Sequence, residues 1–562
     1  MSTSTPQCHN CRKRRVKCDS ARPTCKKCAL KGLECLGYGK QKPLVWLQDG
    51  GYQNQYLSEG SKPASQRKPR RSGRPRLVVA KDGKEEDRST SSESESALVL
   101  TKPPVDETSP AALDIPKVLD VKYPTDVKVV VSSLRYFYEK IDPDLNPFLR
   151  HRTLPTIDTR RWQDDMTNLF LCLIVPIAAT HKAVQSQEAN GAVWLSRDVY
   201  KYKYYVLRKL NQELRDPKTQ LEDLTLLCVL TLQMAEFQQS ATGNWLAHFE
   251  GAKKMIELKG GLKVVSSQKP FLRSVLRYFM VTDVLSLTTS PTTSVQEAHR
   301  QLEYSTLLDE LFCDGTETCV PFPNDLFDAV IQINYLRTVL VHSICDDSSG
   351  ISFAACAQTL LQTILSFSET EWAERKASEY GTSTTVTPTT SASGYLQPVL
   401  KNWLQIASVF HAAVTLYAIR TLALDIPSLF LLQDPLDPTT PQISIENLHE
   451  TTRQTLFHEL RTIFSSQKED QKILRKVFVW PVFIAGVEAG DVEDAAGDRE
   501  FITNCLRVLS IGIGSLNLRD TGAFLKCYWH KIKSRGYTSS FYDRRRWDEV
   551  FEGVQDRCAF FM

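Results

Sequence analysis

The chain has 562 residues, too many for one ordinary hydrophobic core, so two or more structural units are expected. Its composition, 42% hydrophobic and 24% charged, is that of a soluble protein. The modest net charge of +4 hides an asymmetry: residues 1–76 hold 18 Lys and Arg against 4 Asp and Glu, a balance of +14, which leaves −10 for the rest. A basic head on an acidic body points to a polyanion as the partner of the head alone.

Six of the 15 cysteines fall within residues 8–35, as Cys8, Cys11, Cys18, Cys25, Cys28 and Cys35. They form the unit C-x(2)-C-x(6)-C twice, and a repeated ligand spacing reads as metal binding. The alternative is three disulfides. Against it, Met1–Pro6 lacks the apolar stretch of a signal peptide, and Cys172 and Cys228 sit among leucines as reduced core thiols would. Structural zinc takes four ligands, so two separate ions would need eight, and six thiols with His9 make seven. If two thiolates each bridge both ions, six cysteines suffice, and the repeat assigns the bridges to Cys8 and Cys25. So short a segment buries too little apolar surface to fold alone, so metal must supply the folding free energy.

Between Cys11 and Cys18 runs Arg12-Lys13-Arg14-Arg15-Val16-Lys17. As a short helix it would turn its basic side chains outward and Val16 toward the metal. Lys26, Lys27 and Lys31 stand in the corresponding stretch of the second half. An arginine fork can donate two bonds to guanine in the major groove, while most other cations would contact phosphate. Alone, the basic run reads as well as a solvated surface or an import signal as it does as a DNA contact; inside a metal cluster it reads as the DNA contact.

The pattern Cys8-x(2)-Cys11-Arg-Lys-Arg-Arg-Val-Lys-Cys18-x(4)-Pro23-Thr-Cys25-x(2)-Cys28-x(6)-Cys35 closely resembles the fungal binuclear zinc-cluster transcription factors. The resemblance implies two zinc ions bridged by the first and fourth cysteines, and a small two-helix cluster domain. It implies that Arg14 and Arg15 read a CGG-type triplet in double-stranded DNA, that Lys17 contacts phosphate, and that Pro23 shapes the loop between the halves. It further implies a nuclear transcription regulator acting on RNA polymerase II promoters.

Residues 36–125 read as a linker. No sustained heptad follows Cys35, since Gly50, Gly51 and Gly60 interrupt it, so the usual dimerising coiled coil is missing. A second basic block at 67–76 contains Gly73-Arg74-Pro75, the core of an AT-hook. Nuclear import, an auxiliary minor-groove contact and a solvated linker all remain open for it. Residues 81–110, rich in Ser, Glu and Pro, are expected to be disordered.

From about residue 126 the period is helical. Leu207, Leu210 and Leu214 lie on one stripe, and Asp223 is placed to cap an apolar helix through Phe237. A helix from Trp245 should stop at Gly260-Gly261, and one opened by Pro270 carries Phe271, Val275, Phe279 and Thr282 at helical spacing. No convincing strands appear. Residues 286–300 and 377–394 read as exposed Ser/Thr-rich loops. The longest apolar run, Leu169 to Ala179, is too short to span a bilayer.

This body resembles the second class of fungal-specific transcription factor domain over most of residues 130–535. The carriers are Ile174-Val-Pro-Ile-Ala-Ala, Asp223-x-Thr-Leu-Leu, Trp245-x-x-His248-x-x-Gly251-Ala, Gly260-Gly261 and Trp480-Pro-Val-Phe-Ile-Ala-Gly-Val-Glu-Ala. The resemblance implies an all-α regulatory domain of the kind that senses metabolites or holds partners. A homodimer, other regulators and a small-molecule effector are the further partners it leaves open.

The expected organisation is a zinc-cluster DNA-binding domain at 1–40, a basic then Ser/Glu-rich linker at 41–125, an all-α regulatory domain at 126–540 and a C-terminal tail at 541–562. Catalytic chemistry is not expected. His248 reads as a packing residue before it reads as a base, and Glu488 as a structural hydrogen-bond partner. Gly512-Ile-Gly514 lacks the third glycine of a dinucleotide site, and Cys505 and Cys527 lack metal-ligand spacing.

Overall fold

The computed structural model describes residues 8, 11, 16–21, 24–31 and 35 of the amino-terminal region. It further describes residues 127–560 apart from 149–164, 187–196, 293, 343–349, 382–399, 427–428, 430, 433–442, 493–494, 538–540 and 555–556. The chain divides into two compact units, Met1–Lys117 and Val118–Met562. The linker, its basic block and Gly73-Arg74-Pro75 lie outside the described residues.

In the first unit the described helix is α1 (Lys26–Ala29). Around it five buried cysteines form a core of their own, with Val16 and Cys35 packed at its edge. Val16 therefore faces the sulfurs, as its place in the basic run suggests.

The second unit is helical, and its described strands are a two-residue antiparallel ladder, β1 (Leu431–Leu432) with β2 (Ile443–Ser444). It opens with α2 (Val127–Tyr136), a π-helical turn at Phe137–Ile141 and α3 (Asp142–Leu145). Then follow α4 (Asp165–Gln185), α5 (Arg197–Arg215), α6 (Asp223–Gln239) and α7 (Trp245–Leu258). On α5, Tyr202, Val206 and Leu210 are buried while Leu207 and Leu214 pack beside them, the expected stripe. α6 is apolar on nearly every face and is buried over most of its length. α7 stops where Gly260 and Gly261 take φ values of +98° and +92°, which favour glycine.

Next come α8 (Leu262–Gln268), α9 (Arg273–Thr288), α10 (Val295–Gln301), α11 (Asn324–His342), α12 (Gly350–Leu365) and α13 (Glu369–Gly381). The long α14 (Leu400–Thr421) runs through the centre against α11, α13 and α15 (Ile445–Ser465). The chain closes with α16 (Glu469–Arg475), α17 (Val479–Glu488), α18 (Ala496–Ile513), α19 (Asn517–Arg535) and α20 (Trp547–Val550). Every residue of α17 is buried, and Pro481 sits in its first turn, where a missing N–H costs no intrahelical bond. One hydrophobic core reaches from Val130 to Phe560. No helix among the described residues is long and apolar enough to cross a membrane.

Several local expectations are corrected. Residues 286–300 are not an exposed loop: Ser286, Thr288, Thr289 and Ser290 are fully buried, and most of the stretch is helical. Their hydroxyls bond backbone carbonyls, as in Thr288 Oγ1 to Leu285 at 2.6 Å, so polar side chains are satisfied inside the core. Asp223 is the first residue of α6 rather than its cap, and its carboxylate pairs with Lys259 and Lys269, each at 2.7 Å. Phe271 is half exposed. The 377–394 stretch is helical to Gly381 and otherwise lies outside the described residues.

The segment expected as a tail at 541–562 also packs inside. Trp547, Phe551 and Phe560 are buried, and the Trp547 indole donates to the Thr288 carbonyl at 2.7 Å. The Cys558 amide donates to Ser290 Oγ at 2.7 Å, and the Ala559 amide to the Ala241 carbonyl at 3.1 Å. Arg337 pairs with Asp548 at 2.7 Å.

Candidate metal centre and nucleic-acid interface

The two halves of the cysteine repeat fold alike. In the first, the Cys11 amide donates to Cys8 Sγ at 3.4 Å. In the second, the Cys28 amide donates to Cys25 Sγ at 3.3 Å, with Cys25 capping α1. The C-x(2)-C spacing thus turns the chain so that both sulfurs of a pair face one centre. Asp19 joins the halves by accepting from the Lys26 amide at 3.1 Å and 3.2 Å. Nothing in the spacing identified that role, because Asp19 and Lys26 are neighbours only in the fold.

The six thiols fall into two groups of four, Cys8, Cys11, Cys18, Cys25 and Cys8, Cys25, Cys28, Cys35, with ligand atoms within 4.8 Å of one another. Both groups contain Cys8 and Cys25, the two residues that the counting of ligands made bridges. Zinc–sulfur bonds of about 2.3 Å give a tetrahedron with edges of roughly 3.8 Å. The separations here are 3.7 Å for Cys8–Cys25, 3.8 Å for Cys8–Cys28 and 3.6 Å for Cys11–Cys25. None of the six is in a disulfide. Burial and neighbouring thiols push the Cys11 thiol well above its ordinary value, and push Cys28 up to about 12. A divalent cation reverses that balance by stabilising the thiolates. The donor set fits two zinc ions.

Around this core Lys17, Lys26, Lys27 and Lys31 are exposed. Arg12, Lys13, Arg14, Arg15 and Pro23 lie outside the described residues.

The helical unit offers no comparable constellation among its described residues. His248 is buried in α7, and burial pushes its imidazole down to about 3, so it packs as a neutral ring. Glu488 is fully buried; His449 Nε2 lies 2.8 Å and Arg420 Nε 3.8 Å from its carboxylate. Burial alone would raise this carboxyl, but Arg420 and His449 outweigh it and hold it at about 2. Asp283 is likewise buried and held by Arg557 at 2.8 Å and the Tyr304 hydroxyl at 2.7 Å. Sequence reasoning found Glu488 as a structural partner but missed Arg420, His449 and the Asp283 cluster, whose members are far apart in the chain. Gly514 is a left-handed helix cap at φ +68°, where a Cβ would meet the His181 ring at 2.2 Å.

A thiol cluster fit for two zinc ions and a second, helical unit together define a zinc-cluster protein with a large all-α domain. The chain belongs to the family of the fungal specific transcription factor domain, whose model matches residues 133–560, and the fungal Zn(2)-Cys(6) binuclear cluster domain matches residues 7–44. Among curated proteins it is similar to a phomenoic acid biosynthesis cluster-specific transcriptional regulator of Leptosphaeria maculans, 21% identical over 93% of this chain and 85% of that one. It is also similar to acriflavine sensitivity control protein acr-2 of Neurospora crassa, 47% identical over 38 residues, 7% of this chain and 6% of that one. No solved structure matches. Membership implies a DNA partner and a nuclear location.

Proposed function

We propose that this chain is a sequence-specific DNA-binding regulator of RNA polymerase II promoters that reads CGG-type triplets. The observation that carries it is the pair of four-thiol groups sharing Cys8 and Cys25, beside exposed Lys17, Lys26, Lys27 and Lys31. Zinc at Cys8, Cys11, Cys18, Cys25, Cys28 and Cys35 supplies the rigidity that so small a core lacks. Arg14 and Arg15 then enter the major groove and donate to guanine, with Arg15 carrying most of the discrimination. Arg12, Lys13 and Lys17 neutralise phosphates and set the register.

In the same reading, residues 1–40 form the DNA-binding domain, 41–125 the linker, and the helical unit from 126 onward, its carboxyl-terminal segment included, the regulatory domain. This domain does no chemistry of its own; His449 and Arg420 hold Glu488, and Arg557 holds Asp283. A homodimer, other regulators or a small-molecule effector would act through it.

The test is in vitro site selection with the full zinc-loaded chain. Enrichment of a CGG-type triplet, with affinity falling steeply as salt rises, is expected. Equal binding to all sequences would overturn the reading.

A further inference from the structure

α19 buries Leu525, Tyr528, Trp529 and Ile532 and turns its other side to solvent. The exposed side carries Lys526, Lys531, Lys533 and Arg535, with His530 among them. No Asp or Glu occurs from Thr521 to Gly536, so this stretch holds +4 on a body that sums to −10. Lys526, His530 and Lys533, at i, i+4 and i+7, form one stripe roughly 10 Å long. None of the three pairs with a carboxylate among the described residues.

On the far flank of the same exposed side, cations outnumber the one acid they meet. Arg535 Nη1 donates to the Glu552 carboxylate at 2.9 Å, and Lys531 Nζ donates to the Glu552 carbonyl at 2.8 Å. Arg545 lies close enough to help Arg535 hold that carboxyl below its ordinary value. Cations in the last turn of a helix offset its macrodipole, which accounts for Lys533 and Arg535. It does not account for Lys526, more than two turns earlier, or for Arg545, beyond the helix.

A basic face can meet an acidic protein or a nucleic acid. Protein interfaces draw their affinity from aromatic and apolar anchors, and no large apolar side chain is exposed from Thr521 to Gly536. Phosphates need only cations, because each one neutralised releases counterions. The observations therefore favour a duplex backbone.

We propose that the exposed face of α19 is a second DNA contact, in which Lys526, Lys531 and Lys533 neutralise phosphates without regard to sequence. The inference rests on the reading of the chain as a DNA-binding regulator. It gives the helical unit a share of the affinity and none of the triplet choice.

The experiment compares the full zinc-loaded chain with its Lys526→Gln/Lys533→Gln variant. The probes are two long duplexes, one bearing a CGG triplet and one with the triplet scrambled, titrated at several salt concentrations. Both sites are exposed and glutamine suits a helix, so the variant should keep the wild-type thermal transition. Its affinity for both duplexes should fall by the same factor, and the slope of log affinity against log salt should drop by roughly 2. Between about 50 and about 200 mM salt the wild type should therefore lose roughly tenfold more affinity than the variant. Lys263→Gln/Lys401→Gln removes two exposed cations from α8 and α14 and should leave affinity and slope unchanged. An unchanged slope in the first variant, or an equal loss in the second, overturns the proposal. So does loss of polyglutamate binding in the first variant with DNA affinity intact, which would assign the face to an acidic protein. Preference for the CGG duplex is scored as a ratio in every variant, so failure of triplet reading and failure of the α19 contact are distinguishable.

Discussion

Cys8 and Cys25 stand at equivalent places in two copies of one spacing, and their sulfurs lie 3.7 Å apart as members of both four-thiol groups. Cys18 belongs to one group only. The difference has a measurable consequence. Cys25→Ser should empty both metal positions, whereas Cys18→Ser should spare the group of Cys8, Cys25, Cys28 and Cys35. Native mass spectrometry of the two variants reads this as a loss of both zinc ions against a loss of one.

Arg15 and Lys17 are assigned different work, and salt separates them. Arg15→Ala should relax choice at one base position by about 1–3 kcal/mol. Lys17→Ala should weaken all duplexes alike and lower the slope of log affinity against log salt by roughly 1. Titrations against a duplex set at several salt concentrations check both. Equal weakening of every sequence by Arg15→Ala would contradict its role.

The buried Glu488 makes the helical domain sensitive to acid. Its carboxyl is held below the ordinary 4.5, at about 2, by Arg420 and His449 against the pull of burial. Such a group contributes stability that is present above the unfolded value and lost as pH falls through the folded one. The window is therefore about pH 4.5 down to about 2, and the contribution is about 3 kcal/mol. Denaturant unfolding across that window should show Glu488→Gln less stable than wild type at pH 6, with the gap closing toward pH 2. A constant gap would contradict the ionised pairing.

Trp547 ties the last residues into the core. It is 1% exposed, stacks edge-on against Tyr417 at 5.0 Å and donates to the Thr288 carbonyl. Trp547→Ala should cost about 3–5 kcal/mol, measured by urea unfolding followed through far-ultraviolet dichroism. A dispensable tail would tolerate the change with no shift.

What the sequence made legible follows from how local each signal is. The cysteine spacing encodes its own geometry, since C-x(2)-C closes one N–H···S turn whatever surrounds it. Helical periodicity in α5, and the glycines after α7, are equally local. Ser286, Thr288 and Ser290 misled because hydroxyls that bond the preceding turn bury as readily as apolar groups, so polar composition did not mean exposure. The carboxyl-terminal segment misled for a different reason. Trp547, Phe551 and Phe560 sit among Arg, Asp and Glu in a stretch too short for a period, and only distant partners such as Arg337 and Ser290 fix them. Pairings such as Arg420 with Glu488 and Gln238 with Gly514 join residues far apart in the chain and leave no mark in either neighbourhood.

The most direct measurement pairs metal content with DNA selectivity on one preparation of the full chain. Two zinc ions per chain are expected, with preference for a CGG-bearing duplex lost on chelation and regained when zinc is restored. A chain that holds no zinc, or one that discriminates among duplexes equally well after chelation, would contradict a metal-built reading head.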